Sequence, residues 1–75
     1  CALTGRPIEF NKPETYEYDH IQPLSRGGDN ALSNLQILCP EANQAKGSLT
    51  DQEFIELCKE VVIHAGHRIY KPIDK

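Results

Sequence analysis

The chain has 75 residues, a formal net charge of −3 and a pI near 5.5. A chain of this length forms one domain with a small core, and its stability is marginal unless a metal, a disulfide or surrounding protein contributes. The absence of a run of 18 or more apolar residues excludes a membrane-spanning helix. The excess of acidic residues predicts no broad basic face for nucleic acid, although the sequence allows a local cationic spot around Arg26 and Lys46.

The first residues carry no initiator Met and no signal peptide, so we expect a domain, residues 1–75, that belongs to a longer protein with flanking domains. Three cysteines form an odd set without a dense framework, which favours a reducing, cytoplasmic setting.

The N-terminal half is predicted to form a hairpin with a long connection. Residues 4–7 are typical of a tight turn, with Gly5 at a positive φ. Residues 16–21 predict a strand, and the apolar run at residues 35–39 predicts a second, antiparallel strand. The polar segment 22–33 predicts the loop between them, and loops of this length in compact domains are often functional.

The C-terminal half is predicted to form two helices. Residues 40–46 predict a short helix with Pro40 at its first position and Gly47 at its end. A capping box at residues 50–53 opens a longer helix that ends at Gly66, and residues 68–70 have short strand character. The apolar residues of this longer helix recur at helical spacing and predict that one of its faces packs against the core: Phe54, Ile55, Leu57, Cys58, Val61, Val62 and Ala65. The fold class is α+β, with a helix across a two-stranded hairpin.

Five polar residues stand at the edges of these elements: Asp19, His20, Asn34, Asn43 and Lys46. A carboxylate and an amide oxygen are hard ligands for Mg²⁺ or Mn²⁺. A neutral histidine can take a proton from an attacking water near neutral pH. If the short helix packs across the hairpin, these groups converge into a site suited to phosphodiester cleavage.

Strand geometry sets one condition on that site. Neighbouring residues of a regular strand point to opposite faces, so Asp19 and His20 share a site only if the strand ends, bulges or twists there. Ile21 and Pro23 favour a strand end at this point.

The ordered set of motifs resembles the HNH endonuclease family. The resemblance rests on YDHIQP at residues 18–23, GG at 27–28, SNLQILC at 33–39 and NQAKG at 43–47. It covers residues 18–47 closely and residues 1–47 loosely. It implies the small ββα-metal (His-Me finger) fold and hydrolysis of phosphodiester bonds, with DNA as the expected substrate and RNA left open.

The resemblance also implies a role for each matching residue. Asp19 and Asn43 would hold one divalent metal, Mg²⁺ or Mn²⁺, and His20 would be the general base. Asn34 would hold the loop and orient the His20 segment. Lys46 would contact phosphate or brace the loop, against the alternative of a solvated helix end.

The chain departs from many HNH relatives in its cysteines. Those relatives bind structural zinc through two Cys-x-x-Cys pairs, whereas here Cys1 is followed by Thr4 and Cys39 by Ala42. Two thiolates do not form the usual four-ligand site, so we expect no structural zinc. Cys1 and Cys39 are then expected to lie near each other, with a disulfide between them left open.

Four further residues have competing interpretations. Arg26, in the loop, is either a phosphate contact or a solvated charge. His64 and His67 are more typical of a helix end than of a second metal site. Cys58 is predicted to lie in the core.

The leading hypothesis is a metal-dependent endonuclease with one active site, which needs a homodimer or a partner to break both strands. The alternatives are a non-catalytic module of the same fold that binds nucleic acid or protein, and a small zinc-finger-like structural module. The acidic net charge and the missing cysteines motivate the first alternative.

Overall fold

The computed structural model describes residues 1–70. It contains an antiparallel pair of strands, β1 (Glu17–His20) and β2 (Leu35–Leu38), followed by two helices, α1 (Pro40–Lys46) and α2 (Asp51–His64). Three single 3-10 turns lie at Pro13–Thr15, Leu24–Arg26 and Leu32–Asn34. This order confirms the α+β fold class and agrees with the ββα-metal fold. Among the described residues, no helix is long and apolar enough to cross a membrane.

The hairpin is shorter than its sequence pattern predicts. Its register pairs Asp19 with Gln36 and His20 with Leu35. Tyr16 lies outside β1 because its amide closes the preceding 3-10 turn, and the chain bends after His20. Cys39 lies outside β2 because it is the N-cap of α1.

The core is small and lies where β2 runs into α1. Leu38, Cys39 and Ala42 are buried, and Cys1 and Leu3 pack against them. The Ala2 amide donates to the carbonyl of Ile37 at 2.9 Å, which fixes the N-terminal segment beside β2. The expected proximity of Cys1 to Cys39 is therefore present in the structure, with both residues as free cysteines.

Both helices begin as predicted. Pro40 is at the first position of α1, where the missing N–H has no helical partner to lose, and Gly47 follows the helix with a φ of 54°. The Thr50 hydroxyl accepts from the Glu53 amide and the Glu53 carboxylate accepts from the Thr50 amide, which completes the capping box of α2.

The packing predicted for α2 is wrong. None of its residues is buried, and Cys58, expected in the core, is exposed. The core is already closed by β2, α1 and the N-terminal segment, so the apolar face of α2 borders an open groove of about 480 Å³. Phe54, Ile55, Cys58 and Val62 line that groove from the side of α2.

The strand predicted at residues 68–70 is also absent, since residues 67–70 have no regular secondary structure. The described sheet consists of β1 and β2, and the His67 amide closes the end of α2 on the Val62 carbonyl at 2.9 Å. His64 is the last residue of α2, which agrees with its interpretation as a helix-end histidine.

Candidate active site

Helix α1 lies across β1 and contacts it through two matched pairs. Asn43 Nδ2 donates to Glu17 Oε1 at 2.8 Å, and Lys46 Nζ donates to Asp19 Oδ2 at 2.7 Å. Residues three apart share one face of a helix, and residues two apart share one face of a strand. The spacing of each element therefore places Asn43 over Glu17 and Lys46 over Asp19.

Lys46 is the most completely buried charged residue in the described structure, at 1% exposure. Its ammonium donates to the His20 carbonyl at 2.9 Å and lies 3.5 Å from Asp51 Oδ1, in addition to its bond with Asp19. Oxygen partners on three sides compensate the loss of hydration. The interpretation of Lys46 as a solvated helix end is wrong, and in this conformation its ammonium is not accessible to a phosphate.

Asp19 is held from two directions. Its Oδ2 also accepts from Gln36 Nε2 at 2.9 Å, and Gln36 is its partner across the hairpin. The same Nε2 donates to Asp51 Oδ1 at 2.8 Å, so the first residue of α2 joins the network. The formal charges of Glu17, Asp19 and Asp51 exceed that of Lys46, which makes this side of β1 attractive to a cation.

The donor set fits a hard divalent ion. Asp19 Oδ1 and Asn43 Oδ1 receive no hydrogen bond from the described residues, and the bond from Asn43 Nδ2 to Glu17 fixes which end of the amide is its oxygen. Two protein oxygens leave room for the waters and phosphate oxygens that Mg²⁺ retains. No group of three or more His, Cys, Asp or Glu that could hold a metal occurs among residues 1–70, so the ligand assignment stays a prediction.

His20 shares an open cleft of about 320 Å³ with Asp19. The other walls are residues 23–25 of the loop and the pair Gly47 and Ser48 after α1. His20 is the last residue of β1, and the chain bends at the next two residues. Because β1 ends at His20, Asp19 and His20 can line one cleft although neighbours within a regular strand point to opposite faces. The ring is also held, because His20 Nε2 lies 2.8 Å from Asn30 Oδ1.

Asn34 fastens the long loop at both ends. Its Oδ1 accepts from the Gln22 amide at 2.8 Å, and its Nδ2 donates to the carbonyls of Gln22 at 3.1 Å and Asp29 at 2.8 Å. Its own carbonyl accepts from the Ile21 amide at 2.8 Å. These contacts join the two ends of the loop, and the role predicted for Asn34 in orienting His20 stays a prediction.

Gly28 allows the loop to close on itself. A Cβ built on Gly28 would overlap the carbonyl oxygen of Gln22 and lie 2.9 Å from that of Pro23. The Gly28 amide donates to the Pro23 carbonyl at 3.0 Å. Only a residue without a side chain permits this approach, which explains the second glycine of the pair.

Arg26 ties the loop to α2 through an ion pair with Glu53. The hydrogen bond from the Arg26 guanidinium, together with that from the Thr50 amide, lowers the pKa of Glu53 from 4.5 to about 2. Arg26 follows the loop residues that line the cleft, so it lies near the rim with its guanidinium on α2. Its predicted phosphate contact stays a prediction.

The four positions of the two incomplete Cys-x-x-Cys pairs lie close to one another at the edge of the core. Thr4 Oγ1 lies 3.7 Å from Cys39 Sγ, and Cys1 packs against the buried cluster that contains Cys39 and Ala42. A hydroxyl and a methyl group thus stand where the second cysteine of each pair would be. The expectation of no structural zinc stays a prediction.

Four of the site's contact residues were not singled out from the sequence as site residues: Glu17, Asn30, Gln36 and Asp51. Strand alternation could have found Glu17, which lies two residues before Asp19. Gln36 becomes visible only through the register of the hairpin, and Asn30 only through the path of the loop.

Two comparisons with known proteins agree with this arrangement. A family model described as HNH endonuclease matches residues 1–51. CRISPR-associated endonuclease Cas9 1 of Streptococcus thermophilus (strain ATCC BAA-491 / LMD-9) is 35% identical to the chain over 60 residues, which cover 75% of this chain and 5% of that protein. The chain therefore spans about 5% of the length of this relative. With more than half of its residues matched by the family model, the chain belongs to the HNH endonuclease family.

Proposed function

We propose that this domain is a metal-dependent endonuclease that hydrolyses phosphodiester bonds in DNA. The observation that carries the proposal is the position of α1 across β1, which brings Asn43 and Asp19 to one side of the strand while His20 lines the same cleft as Asp19. Membership of the family supports nuclease chemistry, and the metal dependence, the substrate and the residue roles belong to the proposal.

His20 removes the proton from the attacking water. The water oxygen then bonds to phosphorus and the bond to the 3′ oxygen breaks. The 3′ oxygen takes up a proton from solvent, which leaves a 5′-phosphate and a 3′-hydroxyl. Asp19 and Asn43 would hold Mg²⁺ or Mn²⁺ through their oxygens, and the bound ion would stabilise the charge on the phosphate and on the leaving oxygen.

Lys46 contributes through Asp19. Its ammonium donates to Asp19 Oδ2 and so fixes the carboxylate that would hold the ion, and its bond to the His20 carbonyl holds the adjacent backbone. Arg26 is the candidate for a direct phosphate contact, since it lies in an exposed turn beside the cleft, and binding there would exchange its bond with Glu53 for one with phosphate.

The biological setting follows from the same proposal. The domain acts within a longer cytoplasmic protein whose flanking domains select the sequence that is cut. One active site cuts one strand, so a double-strand break requires a homodimer or a second nuclease site.

Plasmid nicking tests the proposal. We expect the purified domain to convert supercoiled DNA to open circles in Mg²⁺ or Mn²⁺ and to stop when EDTA is added. His20→Ala should lose this activity and keep its fold, measured by circular dichroism. His64→Ala is the matched control, because this histidine lies at the far end of α2, and it should cut like the parent chain.

Normal cutting by His20→Ala would overturn the general-base assignment. Binding of DNA without cutting in either metal would favour the second candidate, a non-catalytic module of the HNH fold, which the net charge of −3 motivates. Cutting of RNA in place of DNA would change the substrate and leave the residue roles intact.

A further inference from the structure

The histidine of the proposed active site has a side-chain partner in the long loop. His20 Nε2 lies 2.8 Å from Asn30 Oδ1, at the distance of a hydrogen bond. The amide oxygen of asparagine can only accept, so the ring nitrogen facing it carries the hydrogen. A neutral imidazole has a single N–H, and the lone pair is therefore on Nδ1.

The backbone around Asn30 is fixed on both sides. The Asp29 carbonyl accepts from Asn34 Nδ2 at 2.8 Å, and Asp29 Oδ1 accepts from the Ala31 amide at 3.0 Å. The Ala31 carbonyl in turn accepts from the Asn34 amide at 2.8 Å. The backbone of Asn30 is thus held between two anchored residues, although its side chain is exposed. A fixed backbone allows the Asn30 side chain to orient the His20 ring.

The second ring nitrogen remains available. His20 lines the cleft that Asp19 shares, and no described residue forms a hydrogen bond with its Nδ1. A base nitrogen must offer its lone pair to the water it deprotonates, so a partner on Nε2 is the arrangement that leaves the ring functional.

We propose that Asn30 is a positioning residue for His20, whose amide oxygen accepts the Nε2 hydrogen, fixes the ring in the cleft and makes Nδ1 the base nitrogen. This inference rests on the proposed function. It also gives the long loop a role in the active site, because Gly28 and Asn34 shape the loop and Asn30 is the residue that the loop delivers to His20.

The first test needs no activity. Nitrogen-15 NMR of the neutral His20 ring reports which nitrogen carries the hydrogen. We expect the parent chain and Asn30→Asp, which keeps an acceptor oxygen, to show an Nε2–H protected from exchange with water. Asn30→Ala should lose that protection. An Nδ1–H form in the parent chain would overturn the proposal, because the amide would then donate to Nε2.

The second test is kinetic. A positioned general base accelerates a reaction by about 10²-fold to 10⁴-fold. We expect kcat of Asn30→Ala to be about tenfold to a hundredfold lower than that of the parent chain, with little change in KM. Asn30→Asp should recover most of the loss. Asn11→Ala, which removes an exposed amide far from the loop in sequence, should behave like the parent chain. Unchanged kcat in Asn30→Ala, or no recovery in Asn30→Asp, contradicts the positioning role.

The two tests separate the two proposals. A parent chain that cuts under no metal would contradict the proposed nuclease, whereas the NMR experiment would still decide whether Asn30 sets the hydrogen position on His20.

Discussion

The hairpin with α1 and the C-terminal helix α2 use their side chains in contrasting ways. In the first region, polar groups that are costly to bury satisfy one another, and Lys46 is 1% exposed among Asp19, Asp51 and the His20 carbonyl. In α2, apolar side chains that are expected to be buried remain open, with Val61 at 60% and Leu57 at 44% exposure.

This difference teaches that a periodic pattern identifies a helix without identifying its partner. In the first region, the order of charged and amide residues indicated which groups lie together, because a buried polar group needs a specific hydrogen-bond partner. The apolar residues of α2 need only a surface of any shape, and the small core of this domain does not supply enough of it. Substitutions in the two regions should therefore have very different effects.

Removal of the buried ammonium should have the largest effect. Lys46→Ala leaves Asp19 without its cation and should lower the free energy of unfolding by about 3–5 kcal/mol, as the breaking of other buried ion pairs does. Lys59→Ala is the control, because its bond to Glu56 joins two side chains that are about half exposed and should be worth less than about 0.5 kcal/mol. Urea unfolding measures both, and equal losses would contradict the contrast between the regions.

A pair of leucines compares the regions directly. Leu38 is fully buried at 0% exposure, and Leu38→Ala should cost about 2–5 kcal/mol because a cavity remains. Leu57 is 44% exposed on α2, and Leu57→Ala should cost less than about 1 kcal/mol. Thermal and urea unfolding of the two variants provide the comparison. A loss at Leu57 as large as that at Leu38 would mean that α2 is packed in solution.

The closure of the loop can be tested at its two glycines. Gly28→Ala forces the loop away from Gln22 and should cost about 1–3 kcal/mol, with a strong loss of nicking because Asn30 moves with the loop. At Gly27 a Cβ meets no atom, but its φ of 87° is unfavourable for alanine, so Gly27→Ala should cost about 1 kcal/mol. Retained nicking in Gly28→Ala would show that the close approach is dispensable.

The smallest effect concerns the link between the two regions. The hydrogen bond from Arg26, together with that from the Thr50 amide, lowers the pKa of Glu53 from 4.5 to about 2, so the stability contributed by these bonds is complete above pH 4.5 and is lost as pH falls toward 2. The stability difference between the parent chain and Glu53→Gln should therefore shrink across that window. A difference that does not change with pH there would contradict the ion pair.

Much of this domain is determined by local sequence. Pro40 and Gly47 bound α1, the capping box at Thr50 and Glu53 opens α2, and the apolar run at residues 35–39 predicts the second strand of the hairpin. Each of these signals acts through the conformational preferences of a few neighbouring residues, so they can be interpreted without knowledge of the fold. The ordered polar motifs also indicated the family, and the match to residues 1–51 confirms it.

Only the tertiary structure decided which groups meet. The burial of Lys46, the bond of Asn43 to Glu17 and the contact of Asn30 with His20 depend on the crossing of α1 over β1 and on the path of the loop. The exposure of α2 likewise depends on how much apolar surface the rest of the domain offers. Hydrogen bonds and burial act between residues that are distant in sequence, and their partners are set by packing, which no local pattern encodes.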